Sequence, residues 1–387
     1  MNHFLTESPS LTTMKSSLRS LLIPFALGAA LSSAVAQTSV SSDPIGFNKV
    51  TLKGDSDTVI SIPFHQKSSF TGKLSSDPQD VGSQDVEAGE DAVLTVTGAG
   101  WTASAFLGGH YVRFTSGVKN GFYYEINGNT DSTIEVNANG DDLSGIVSND
   151  SFKVIPHWTL DLLFPDGAGI NVSTSSFIRQ SEIFFVSSSL GINKSAEETY
   201  YYLGSTANQW RKVGGGVTDQ GGKIIYPNQA FIVRNNLTPD TEICADGVVP
   251  LGLHAIQLDI GTGKNDNYLS FDRPVSVSLN DSGLVVQDEN TGVVTGGVFE
   301  VSTSTFLKKD ELFVFDNTLV QKNKPASAVY FFFEDSVTPA NSSWRRVGGG
   351  TADVGDNLIL EPGHAIVIRK AAGTSESTAF GLNSATY

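Results

Sequence analysis

"WRKVGGG" at residues 210–216 and "WRRVGGG" at 344–350 are one phrase written twice in a chain of 387 residues. The phrase is either a glycine-rich ligand loop used twice or a structural turn copied with its domain, and its surroundings favour the turn. "VSTSSFIRQSEIFFV" at 172–186 matches "VSTSTFLKKDELFVF" at 301–315, and the aromatic runs "TYYYL" and "VYFFF" follow each. "WRKVGGGVTDQGGKIIYPNQAFIVR" at 210–234 then matches "WRRVGGGTADVGDNLILEPGHAIVIR" at 344–369 with one inserted residue. Upstream, "GFNKVTLKGDSDTVISIP" at 46–63 resembles "GLHAIQLDIGTGKNDNYLSFDRP" at 252–274. Repetition at this scale is read before the fold, because each repeat is one structural unit.

The runs between the repeats are short and alternating. "AVLTVTG", "HYVRFTSG", "STIEVNANG" and "SFKVIPHW" place apolar residues at every second position and mostly stop at Gly, Asn or Ser, as strands joined by turns do. No long stretch keeps helical periodicity, and the best helix candidate is "NKSAEETYY" from Asn193. The fold expected is therefore all-β: two homologous β-sandwich or barrel-like units, with a small β-barrel domain inserted in the first. The expected limits are a signal peptide at 1–36, the first part of unit 1 at 37–87, the insert at 88–158, the rest of unit 1 at 159–250, unit 2 at 251–375 and a tail at 376–387. Acidic, turn-rich residues 77–91 read as an exposed linker into the insert.

From Met14, the expected start, "MKSSLRSLLIPFALGAALSSAVAQ" has a basic n-region (Lys15, Arg19), an apolar run from Leu21 to Leu31 and a small-residue cleavage site, Ala36 before Gln37. That run falls short of the roughly 20 residues a spanning helix needs. The net charge is −16; residues 1–36 carry Lys15, Arg19 and Glu7, a net +1, so the mature chain stands at −17. An acidic surface repels phosphate backbones, so nucleic acid is not an expected partner. Cys244, the single cysteine, cannot form an internal disulfide and reads as a small buried apolar side chain.

"SDPIGF" at 42–47, "SDTVISIPF" at 56–64, "NTDSTIEVN" at 129–137 with "SFKVIPHWTL" at 151–160, and the doubled "WR[KR]VGGG" with "AFIVR" resemble an uncharacterised family of exported, paralogous proteins known from verrucomicrobial bacteria. The resemblance spans the mature chain. It implies export and a shared β architecture, and it brings no catalytic residues.

Few residues suggest chemistry. The glycine phrase lacks the lysine and the following helix that a phosphate loop requires, so Gly214 to Gly216 read as a turn with positive φ, completed by Asp219 and Gly221. Trp210 with Arg211, and Trp344 with Arg345, are ligand-binding candidates if the indoles face outward, while burial is the default for so large an apolar surface. Glu182 and Glu311 occupy matching positions and form the one carboxylate pair that a glycosidase could use; a shared role in binding turn backbone is the plainer reading. The six histidines are far apart in sequence, and "NGNTD" at 127–131 lacks the later residues of a calcium loop, so no metal site and no cofactor are assigned, with calcium left open at oxygen-rich loops such as Asp141-Asp142. The function expected is that of an exported, non-enzymatic envelope or surface module whose partner is an envelope protein or a glycan. The alternative is an exported protein that binds or degrades polysaccharide.

Overall fold

A computed structural model describes residues 43–204, 208–271 and 273–384; the expected signal peptide and its cleavage site between Ala36 and Gln37 lie outside them. The described chain is nearly all β, with several sheets and a half-barrel. Sheet I runs, in spatial order, Gln209–Lys212, Ala196–Leu203, Ser181–Val186, Phe231–Asn235, Ser56–Ile60. Sheet II runs Ser343–Arg346, Ala328–Phe333, Glu311–Val314, Ala365–Lys370, Asn265–Ser270. Both are antiparallel throughout, and residues that match in sequence stand at the same place in the two orders. A long two-stranded ribbon accompanies each sheet: Ile45–Leu52 with Thr241–Val248, and Leu253–Ile260 with Ser377–Ser384.

The third body is a six-stranded half-barrel ordered Phe70–Lys73, Ser151–Pro156, His110–Phe114, Tyr123–Asn129, Thr133–Val136, Ala92–Thr95. Its edges are drawn together where the Ser75 N–H donates to the Thr95 carbonyl at 2.8 Å, and Gln79 and Val93 exchange backbone bonds. Leu94, Val112, Phe114, Ile134, Phe152 and Val154 fill it, as alternating strands require. Because Phe70–Lys73 pairs with Ser151–Pro156, the sheet begins upstream of residue 88, the expected start of the insert. Residues 77–91, though largely exposed, connect two of its strands rather than lead into it.

Two further expectations are corrected. "NKSAEETYY" contributes to the strand Ala196–Leu203 instead of a helix, because Thr199 to Tyr202 are β-branched and aromatic and pair with Ser181–Val186 through Thr199 and Tyr200 and with Gln209–Lys212 through Tyr200 to Tyr202. Cys244 is exposed: it stands between Ile243, which faces the core, and Ala245, so alternation turns it outward.

Trp210 and Trp344 anchor the cores of sheets I and II and are both 0% exposed. Trp210 packs on Phe164 and edge-on to Tyr202, with centroids 5.6 Å away in each case. Trp344 packs on Phe299 at 4.9 Å and edge-on to Phe332 at 5.5 Å. Replacing either with alanine is expected to cost about 3 to 5 kcal/mol, as for other buried tryptophans, read from urea unfolding midpoints.

The sheets meet through their edge strands. The Asp57 carboxylate accepts Nε and Nη2 of Arg234, the residue opposite it in sheet I, at 2.7 and 2.8 Å, and it also accepts the N–H of Asn323 from sheet II's chain at 2.6 Å. The Asp266 carboxylate accepts Nε and Nη2 of Arg369 at 2.6 and 2.9 Å and the N–H of Asn193, from sheet I's chain, at 2.7 Å. Asn193 and Asn323 both sit at positive φ, 53° and 52°, a conformation that asparagine tolerates better than most side chains. Farther along, the Ser61 N–H donates to the Gly363 carbonyl and the Ser270 N–H to the Asn228 carbonyl, at 3.0 and 2.7 Å. Asp57 and Asp266 are 6% and 3% exposed. Removing either carboxylate strands a guanidinium, so Asp57→Ala and Asp266→Ala are each expected to cost about 3 to 5 kcal/mol. Lys49→Ala, which breaks the exposed pair with Glu242, should leave the urea midpoint essentially unchanged, because solvent screens such a pair.

Candidate functional site

The repeated glycine phrase is a turn. Gly214 and Gly216 have φ of 77° and 75°, as do Gly348 and Gly350, while the N–H groups of Gly215 and Gly349 close the turn onto Lys212 and Arg346, each at 2.9 Å. The middle glycine is not the one at positive φ. Its requirement is space, since a Cβ on Gly215 would stand 2.9 Å from that of Lys212. Asp219 and Asp353 then accept the N–H of Gly221 and Gly355 at 3.1 and 2.8 Å. The chain does not return as a hairpin partner. Gln209–Lys212 pairs with Ala196–Leu203, and two strands separate it from Phe231–Asn235.

With both indoles enclosed, Trp210 and Trp344 offer no ring face to a ligand, which removes the outward-facing reading of these two residues. Arg211 and Arg345 alternate to the opposite face and are 8% and 7% exposed, so they too are packing residues. The Arg345 guanidinium lies 3.9 Å from the centre of the Phe333 ring. Glu182 and Glu311 belong to different sheets. Glu182 accepts Arg179 Nε at 2.6 Å and Asn236 Nδ2 at 3.1 Å, and Glu311 pairs with Lys264 at 3.4 Å. Their partners are cationic and amide side chains and not turn backbone.

Folding gathers histidines that the sequence scatters. His65 Nδ1 lies 2.5 Å from the Tyr111 hydroxyl and its Nε2 2.6 Å from Arg113 Nη1; the His157 ring centre is 5.0 Å from that of Tyr111; His254 Nε2 is 2.5 Å from Asn228 Oδ1. Burial first, and then neighbouring cations led by Arg113, push His65 and His254 well below the usual histidine range. This cluster ties the half-barrel to its neighbours, with Arg113 Nη2 donating to the Leu253 carbonyl at 2.9 Å. Among the described residues no group of three or more His, Cys, Asp or Glu could hold a metal ion, and no helix is long and apolar enough to cross a membrane.

What remains are two loop tips passed over in the sequence. Phe177 and Ile178 are 92% and 65% exposed, and at the matching positions Phe306 and Leu307 are 90% and 80% exposed. Each tip has a fixed base. Ser173 and Ser302 are fully buried, and their hydroxyls accept the N–H of Gln180 and Lys309 at 3.1 and 2.9 Å. At the apex, Ser175 Oγ accepts the N–H of Phe177 and Ile178, and Ser304 Oγ those of Phe306 and Leu307, at 3.0 to 3.3 Å. A basic residue follows each apolar pair: Arg179 is held by Glu182, and Lys308 lies over the Phe331 ring at 5.4 Å. The signal available was an apolar pair inside a run of serine and threonine, without the alternation that would bury it.

No family, curated protein or solved structure matches the chain.

The turn carries one titratable tie. Desolvation raises Glu198, but the hydrogen bonds and charges of Lys212 and Lys223, at 2.7 and 2.5 Å, outweigh it and hold the carboxyl at about 2. A lowered folded pKa stabilises above the unfolded value, near 4.5, and that stability is lost as pH falls toward 2. Glu198→Gln is therefore expected to flatten stability against pH in this window, removing about 2 kcal/mol of the loss after solvent screening, as measured by denaturant titration at a series of pH values.

Proposed function

We propose that this chain is an exported, non-enzymatic β protein acting as an interaction module at the cell envelope or surface, built by duplication of one β unit. The observation that carries the reading is the doubled tip: a phenylalanine and an aliphatic residue largely exposed to solvent, at matching places, on loops whose bases are buried and hydrogen-bonded. A rigid scaffold with apolar residues at loop apices is the usual construction of a contact surface. Two tips on one chain gain avidity when both engage one partner or assembly. The partner suited to them is an envelope protein with apolar pockets, one of them bordered by an acidic group that meets Lys308. Export rests on the segment from Met14 to Ala36, and N-terminal sequencing of the secreted chain should begin at Gln37.

The glycan-directed alternative relied on Trp210, Trp344, Glu182 and Glu311. The first two are enclosed and the others are committed to separate ion pairs, so these residues lend it no support.

Because the tips touch no core, Phe177→Ser with Phe306→Ser should leave the thermal midpoint within the range of ordinary surface substitutions, about 0.5 kcal/mol each. The double variant should be lost from the envelope fraction of the native host, with each single variant intermediate. Retention of the folded double variant at the wild-type level would overturn the proposal.

A further inference from the structure

Where sheets I and II meet, the fold leaves a cavity of about 370 Å³, within the size range of small-molecule sites. Phe184, Ile232, Tyr268 and Phe315 supply apolar walls, and Lys194 and Lys324 supply two cations. The lysines hold matching places in the clasping loops, each directly after the asparagine that docks on the opposite sheet's aspartate. Asp57 and Arg234 also line the space but are engaged with each other. Lys324 is only 8% exposed, and its buried Nζ has no hydrogen-bond partner. An enclosed, unpartnered ammonium is costly, and the carboxylates nearest to it are already occupied: Asp57 by Arg234 and Asn323, and Asp316 by the hydroxyl and N–H of Thr318.

We propose that this cavity binds a small monocarboxylate with an apolar body, its carboxylate received by Lys324 and Lys194 and its body lying against Phe184, Ile232, Tyr268 and Phe315. A carboxylate supplies the acceptor that the Lys324 ammonium lacks and forms a charge-assisted bond in a site of low dielectric. An inorganic dianion would answer the lysines but leave the aromatic walls uncovered, and a neutral apolar molecule would do the reverse. Burial lowers both lysines from their usual range, an effect that an incoming anion would offset. Ligand bound here touches elements of both sheets and would tighten the seam.

The test is calorimetric titration of the full chain with 3-phenylpropanoate and octanoate, against 3-phenylpropanol and octanol as neutral matches. At least one carboxylate should bind at one equivalent per chain and raise the thermal midpoint, with its alcohol weaker by tenfold or more. Lys324→Met keeps the stem and removes the charge; it should weaken carboxylate binding at least tenfold while leaving the midpoint of the free protein unchanged or higher. Lys194→Met, at a half-buried position, should weaken binding by a smaller factor and gives the reading if Lys324→Met does not fold. Absence of carboxylate binding to the wild-type chain, alcohols equal to acids, or undiminished binding in the folded lysine variants would each overturn the proposal.

Discussion

A strand at the end of a sheet presents unpaired backbone groups that must be covered, or they will pair with another chain. Sheets I and II end in Ser56–Ile60 and Asn265–Ser270, and each edge is covered by chain belonging to the other sheet. The Asp57 N–H donates to the Gln321 carbonyl at 3.0 Å and the Asp266 N–H to the Gly191 carbonyl at 2.8 Å. The Asn317 side chain both donates to and accepts from the backbone of Val59, at 2.9 and 3.0 Å. Each aspartate then fixes the guanidinium across its own ladder and the incoming loop together. Geometry of this reciprocal kind is what an isologous interface between two subunits has, but here both sides lie on one chain. Apolar contact among Val59, Ala230, Ala365, Ile232, Tyr268 and Phe315 completes the seam.

Matching positions do not carry matching chemistry everywhere. Where sheet I has Ser181 beside Asn235, sheet II has Asp310 beside Lys370, an ion pair enclosed at 0% and 5% exposure. Ser181 Oγ accepts the N–H of Asn171 at 3.0 Å, and the Asp310 carboxylate accepts the N–H of Glu300 and Ala371, each at 2.7 Å. The same turn is secured by a neutral network in one sheet and a charged one in the other. Glu198 with Lys212 and Lys223 has no such counterpart, since Ala328 stands at its position in sheet II. A buried ion pair is weak evidence for extra stability, so these differences concern how each turn is held more than how strongly.

Functional candidates separate by the same logic of exposure. Large aromatic residues inside an alternating strand, such as Trp210, were drawn into the cores, whereas Phe177 and Phe306 stay in solvent because the serine-closed loops that carry them leave the sheet. The tryptophans are committed to packing, and the apolar loop apices are left in solvent.

The all-β class was legible in period-two runs broken by glycine and asparagine, and so was the glycine turn, because both depend on local backbone preference and side-chain alternation. The enclosure of Trp210 and Trp344 followed from the size of the indole. Pairing across long separations was not legible. The recruitment of Phe70–Lys73 to the half-barrel, the distance of "AFIVR" from "WRKV" and the gathering of His65 and His157 around Tyr111 all depend on which distant strands meet. Exposure of Cys244 turned on one step of strand register, and burial of Arg211 on what covered the outer face of its strand. The Asp57 and Asp266 clasps join residues more than 70 positions apart, so no local preference announces them; they exist because two sheet edges needed covering and the chain held the complementary loops. The cavity lined by Lys194 and Lys324 is a product of that meeting, and only the tertiary structure could place both ammonium groups in one space.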